Sequence, residues 1–269
     1  MKANETSSAA LTSALIWRAR KEGFSSIFVT PAVLAVLFGV ITAIALLASG
    51  PAQNGPSTGG TVLGVPITNP GQMTGLMLLP MIFLVGLGMG GGLCVQALLG
   101  SEITSGSFEL WLSRIGPRTI ATGLFKAAAA GLLAIWIMLI VIGGAFYGIL
   151  ASFPSGPLPV NLPYVLFCLL LPLALGLAGE AAAIGITLMK PRLASANARG
   201  IAHGTGSVIT LIAILPQMIV VLVLVFLSRT GASLLIIGGI GVAIAVIAAA
   251  IAIVLGATKL SRDQIVSSL

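Results

Sequence analysis

Glu180 lies ten residues before Lys190 inside a long apolar run, and it is the one ionisable residue placed well within such a run. If that run is a continuous helix, the rise of about 1.5 Å per residue puts the carboxyl roughly 15 Å from the basic end. An ionised side chain at such depth in lipid costs about 2.5–3.5 kcal/mol or more, so acids there face a bundle interior or a pathway. Three readings follow: a substrate-path or proton-linked role, an interhelical hydrogen bond, or a helix break at Gly176/Gly179 that brings the acid nearer water. Pro216-Gln217 forms a second polar interruption of an apolar run, and a proline there predicts a bend that would suit a pathway lining. Pro80 and Pro172 carry the same two meanings, kink or ordinary packing.

Other chemical signatures fail their context. No Lys follows a Gly, so the phosphate loop G-x-x-x-x-G-K-[ST] is absent and any nucleotide chemistry belongs to another chain. His203 is the single histidine, in the small-residue loop 202–206, and Cys94 and Cys168 sit apart inside apolar runs; no zinc or haem ligand set emerges. Gly86-Leu87-Gly88-Met89-Gly90-Gly91 fits G-x-G-x-x-G but follows no strand. Its pairs Gly86/Gly90 and Gly88/Gly92 instead read as close-approach faces for neighbouring helices. Gly55-Pro56-Ser57-Thr58-Gly59 fits a nucleophile elbow, yet its side of the membrane offers no His, Asp or Glu, which leaves a turn.

The elements that position these residues follow from composition. Hydrophobic residues make up 58% of the chain and charged ones 7%, against about 25% charged in a soluble domain. Six runs are long enough to cross a bilayer core of about 30 Å: 28–48, 72–99, 124–150, 164–189, 207–227 and 233–257. They predict an all-α integral membrane protein with an interfacial segment 1–27, a six-helix domain 28–257 and a tail 258–269. The basic residues alternate with the spans. Lys2, Arg18, Arg20 and Lys21 precede the first; Arg114, Arg118 and Lys126 follow the second; Lys190, Arg192 and Arg199 follow the fourth; Lys259 and Arg262 follow the sixth; Arg229 alone lies on the opposite face. Under the positive-inside rule both termini are cytoplasmic, in a multi-pass protein of the plasma (inner) membrane. The net charge of +7 is thereby a record of topology directed at lipid headgroups, and it implies no nucleic-acid partner. The first span is too long for a signal-peptide core and is expected to be retained.

Between the second and third spans, Phe108, Trp111, Leu112 and Ile115 recur at i, i+3, i+4 and i+7, the stripe of a short amphipathic helix. Ser107 suits its N-cap, Glu109 its first turn, and Gly116-Pro117 its end. The stripe fits equally a helix lying on lipid and a plug seated in a partner's groove.

The run Glu102, Gly106, Glu109, Leu110, Leu112, Pro117, Arg118 and Lys126 resembles the E-x-x-x-G-[TS]-x-E-x-L-x-x-x-P-x-S-R…G-K segment of type-2 ABC exporter permeases, which follows the second of their six spans. Trp17-Arg18-Ala19-Arg20-Lys21-Glu22-Gly23-Phe24 is similar to that family's basic amphipathic entry segment. The resemblance implies a dimer with a second permease copy or paralogue, two cytoplasmic P-loop ATPase subunits that carry the ATP and Mg, and no cofactor on this chain. It also implies that the loop is a coupling helix: Phe108, Trp111, Leu112 and Ile115 as docking knobs, with Glu102, Glu109, Arg114 and Arg118 orienting the docked surface. The charged members are otherwise a solvated or headgroup-bound face. The few polar groups in the spans point to hydrophobic or amphipathic cargo. A proton- or ion-coupled carrier using Glu180, and a non-transporting anchor, are the competing expectations. Spans one to three and four to six show no convincing repeat of the kind such carriers carry.

Overall fold

The computed structural model describes Ala10, Ser13, Ala14 and residues 24–48, 61–62, 65–66, 70–104, 117–150, 152, 160–189, 208–227 and 234–259. Six helices account for nearly all of these: α1 Phe24–Ala48, α2 Pro70–Thr104, α3 Pro117–Leu150, α4 Leu162–Met189, α5 Val208–Leu227 and α6 Leu234–Lys259. A two-residue-per-strand hairpin, β1 Thr61–Val62 and β2 Val65–Pro66, pairs antiparallel with Val62 opposite Val65. The expectation of an all-helical chain omitted this hairpin. It exists because Val65 is fully buried beside Leu76, Tyr164 and Phe167, closing one end of the bundle.

Five helices are long and apolar enough to cross a membrane, with windows Phe28–Ala45, Gly75–Leu99, Arg118–Ile149, Leu162–Met189 and Gly238–Lys259. The chain is thus a multi-pass α-helical membrane protein. In α5 the described apolar stretch is shorter, Thr210–Val220, so a sixth crossing is not among those five. Two helix boundaries differ from the sequence reading. Helix α2 continues to Thr104 and takes Glu102 into its last turn, and α3 begins at Pro117 rather than near residue 124. Proline is at home in that first position, where its missing N–H has no helical partner to lose. Pro117 therefore starts a membrane helix instead of only ending a loop. The coupling-helix stretch 105–116 and the entry segment 17–23 lie outside the described residues, as does the loop at 55–59.

Helices α2 and α4 form the centre: 67% of the α2 window is buried, against 22% for α1 and 17% for α6. Helix α2 touches α1, α3, α4 and α5, and α4 touches α2, α3, α5 and α6. Around them the outward faces are aliphatic. Val33, Leu37 and Ile44 on α1, Ile137 and Val141 on α3, and Ile244, Ile247 and Ile251 on α6 are exposed, as a lipid-facing surface requires.

Lipid is as apolar as these side chains, so helices associate here through close packing and hydrogen bonds rather than through escape from water. The structure shows both. A Cβ at Gly179 would strike the carbonyl oxygen of Ala213 on α5, one at Gly185 the backbone of Ala252 and Ile253 on α6, and one at Gly256 the backbone of Gly185. Thus α4 meets α5 and α6 backbone to backbone. Hydrogen bonds also cross between helices. The Tyr164 hydroxyl donates to Leu76 O at 2.6 Å, and Trp136 Nε1 donates to Leu169 O at 3.0 Å.

These contacts predict a graded response to substitution. Gly185→Leu should lower stability by roughly 1–3 kcal/mol through overpacking, whereas Gly144→Ala, where nothing lies within 4 Å, should be neutral or gain up to about 1 kcal/mol from helix propensity. Tyr164→Phe should cost about 0.5–1.5 kcal/mol, the net worth of one hydrogen bond. Unfolding midpoints in mixed micelles measure all three; a Gly185→Leu protein as stable as its parent contradicts the backbone contact.

Candidate functional site

The glycine-rich stretch of α2 organises the interior because each of its faces admits a different helix. A Cβ at Gly86 would lie 2.9 Å from Leu139 Cδ1, and one at Gly90 would lie 2.6 Å from Ile135 Cδ1, so this ridge receives α3. Gly88 and Gly92 receive α5: a Cβ would lie 2.6 Å from Ile214 Cγ1 at the first and 2.5 Å from Thr210 Cα at the second. The two small-residue pairs read from the sequence are therefore two ridges with two partners. Gly91, on the side between them, receives the acid of α4. A Cβ there would stand 3.0 Å from Glu180 Cγ and 3.3 Å from its Oε1.

Glu180 is 0% exposed, and neither carboxyl oxygen has a hydrogen-bond partner among the described residues. Helix α4 runs unbroken from Leu162 to Met189. Two of the three sequence readings are corrected by this. The helix does not break at Gly176 or Gly179, because those glycines are used for close approach to Leu132 and to Ala213. Among the described residues no interhelical hydrogen bond holds the acid either: Gly91 beside it has no side chain to offer, and the buried Cys94 thiol one turn further on interacts with it without forming a hydrogen bond. The described basic residues, Arg118, Lys126 and Lys259, are all exposed, whereas Glu180 is fully buried.

Two amides join the acid on the same stretch. Gln217 is 1% exposed with both Oε1 and Nε2 unpartnered, its Cδ 3.3 Å from where a Gly88 Cβ would be. Gln96 is 2% exposed; its Oε1 accepts from the Thr210 hydroxyl at 3.4 Å and its Nε2 has no partner. Gly88, Gly92 and Gln96 are spaced four residues apart, and Gly91 adjoins that ridge. Gln217 at Gly88 and Glu180 at Gly91 consequently meet α2 within three residues of each other, a column about 4.5 Å long by helical rise, whereas the Gln96–Thr210 pair lies five residues beyond Gly91 and about 140° round the helix. Unsatisfied buried polar groups are rare in native proteins, each costing about 1–3 kcal/mol. Four such atoms on two side chains at this level, those of Glu180 and Gln217, mark a place made for something other than packing.

Of the residues singled out from sequence, the structure brings Glu180 and Gln217 to this column. Pro216 falls on the half-buried flank of a continuous α5, between the exposed Leu215 and Met218. Glu102 lies in the last turn of α2, and Arg118, exposed, in the first turn of α3. Phe108, Glu109, Trp111, Leu112, Arg114 and Ile115 lie outside the described residues, as does His203. Sequence reasoning missed Gln96 and Thr210. The signal was present, since Gln96 continues the four-residue spacing of Gly88 and Gly92 and is an amide inside an apolar run. Also missed was a cavity of about 220 Å³ between α2, α3 and α4, lined by Leu79, Phe83, Ile140, Gly143, Tyr147 and Leu169 among others. Its walls are almost wholly apolar. Among the described residues no three His, Cys, Asp or Glu side chains converge as a metal site would require.

No protein-family model, curated protein or solved structure matches this chain.

Unpartnered amides make a simple prediction. Gln217→Leu should raise stability by about 1–3 kcal/mol by removing an unsatisfied buried group at similar volume. Thr210→Val should lower it by about 0.5–1.5 kcal/mol, since it removes the partner of Gln96. Chemical unfolding in micelles reads both, and a Gln217→Leu protein less stable than its parent would mean that the amide is bonded.

Proposed function

We propose that the chain is the membrane-spanning permease subunit of an ATP-driven exporter, working as a dimer with separate cytoplasmic P-loop ATPases. The observation that carries this reading is how the motif-bearing segment is mounted. Glu102 lies in the last turn of α2 and Pro117-Arg118 starts α3, so residues 105–116 join two helices of 35 and 34 residues. Both exceed the roughly 20 residues that a bilayer core requires. Extra helical length at the basic end suits elements that carry a docking segment clear of the membrane. With six spans and both termini cytoplasmic, Phe108, Trp111, Leu112 and Ile115 act as knobs on the ATPase, and Glu102, Glu109, Arg114 and Arg118 orient the contact. ATP and Mg stay on the partner. Closure of the ATPases displaces the loop, α2 and α3 carry that movement inward, and the pathway alternates between inward and outward states. The cargo is hydrophobic or amphipathic, in keeping with apolar spans.

A second reading, a proton- or ion-coupled carrier without an ATPase, is favoured by one specific observation, the fully buried and unpartnered carboxyl of Glu180. The two readings separate on the partner. In the exporter, a P-loop ATPase encoded beside this chain copurifies with it, and Phe108→Ala combined with Trp111→Ala reduces recovered ATPase by about tenfold, corresponding to about 1.4 kcal/mol of docking energy, while membrane insertion is unchanged. Full retention of the ATPase and of transport by the double variant removes the docking assignment. Uptake or efflux by the chain alone, driven by an ion gradient, supports the carrier.

A further inference from the structure

We infer that the column on α2 is a binding site for a single positive charge, and that the cargo is a lipophilic monocation whose cationic group docks on Glu180. The inference rests on the transport reading of this chain and names the substrate class for it. Glu180 contributes one carboxyl, and Gln217 of α5, three residues away along α2, contributes an unpartnered amide oxygen. A set with one acid, and no second carboxyl beside it among the described residues, balances one positive charge and leaves a divalent ion under-compensated. An unpaired ionised acid in this interior is costly, and truncating or filling the site would be the cheaper solution if packing were its purpose. An acid and an amide that are both fully buried and unpartnered make sense when a cation completes them.

The lipophilic part of the class comes from the same side of α2. Phe83, Leu87 and Gly91 are spaced four residues apart and so form one ridge. At one end of it Phe83 lines the apolar cavity, and at the other Gly91 adjoins Glu180. The interval is about 12 Å by helical rise, bridged by Leu87 and Leu132, both of which also face Gly176 of α4. A molecule with an apolar body and one cationic group matches an apolar cavity and an acid joined by movable leucine side chains. A free alkali cation presents the same charge from a different source.

The test uses the purified full chain in phosphatidylcholine nanodiscs. Tetraphenylphosphonium and tetraphenylborate are nearly equal in shape and opposite in charge. The expected result is saturable binding of the phosphonium at least tenfold tighter than of the borate, lost by tenfold or more in Glu180→Gln and partly kept in Glu180→Asp. Competition by sodium chloride but not by choline chloride would assign the same site to a free alkali cation as well. A second measurement needs no variant: an apolar carbodiimide should label Glu180 in the parent chain, and the phosphonium should slow that labelling. Equal binding of the two probes, equal binding by parent and Glu180→Gln, or labelling indifferent to the phosphonium overturns the site. ATPase copurification is scored separately. A bound ATPase with no charge-selective binding removes only this inference, whereas charge-selective binding without any ATPase removes the exporter and keeps the site.

Discussion

The closeness with which α4 can approach its neighbours is the constraint on which the rest of the structure depends. Lipid withholds the hydrophobic gain that drives soluble cores together, leaving dispersion contacts and hydrogen bonds to hold the helices. Dispersion falls away within fractions of an ångström of the optimum, so a Cβ at the crossing points would forfeit most of it. Gly179 against Ala213 and Gly185 against Gly256 place backbone on backbone, and α5 and α6 are thereby fixed on α4. Helix α2 does the same toward α3 and α5 through its two glycine ridges. The consequence is a centre whose side chains are few and small, in which any polar group is left facing backbone or aliphatic carbon.

That consequence explains why the acid stands alone. A glycine opposite Glu180 admits the carboxyl but returns no donor, and the nearby Cys94 thiol forms no hydrogen bond with it. The same glycine scaffold brings Gln217 of α5 to Gly88, three residues from Glu180's place at Gly91, without making the two hydrogen-bond partners. Packing and polar satisfaction are in conflict here, and packing has set the helix positions. Conflicts of this sort concentrate at functional sites, where local consistency is given up for binding or chemistry.

Much of this architecture was legible in the residues. Apolar run length located the helices, because the bilayer imposes it, and the spacing of Gly86, Gly88, Gly90 and Gly92 announced two close faces. The depth of Glu180 followed from counting back from Lys190. What could not be read was which helix each glycine face receives, since one sequence of small residues suits any neighbour. The hairpin was also hidden, being two residues per strand and held by the burial of Val65 rather than by any strand pattern of its own. The overrun of α2 to Thr104 was missed because Ser101 and Glu102 read as polar loop residues, although helix termini outside the bilayer tolerate them.

One rod joins the two features on which a transport reading turns. Helix α2 carries Glu102 in its last turn and Gly88 and Gly91 beside the acid, so the distance between them is 11 to 14 residues of one helix, roughly 17–21 Å. A helix is stiff over that length, and a push at its basic end reaches the column as a displacement of the whole face. Ile214 and Thr210 of α5 sit in the notches at Gly88 and Gly92, so such a displacement carries α5 along with α2. In the proposed exporter, movement of α2 alters what Glu180 of α4 faces, because Gly91, which stands against the acid, belongs to a helix that with α3 leads out to the loop.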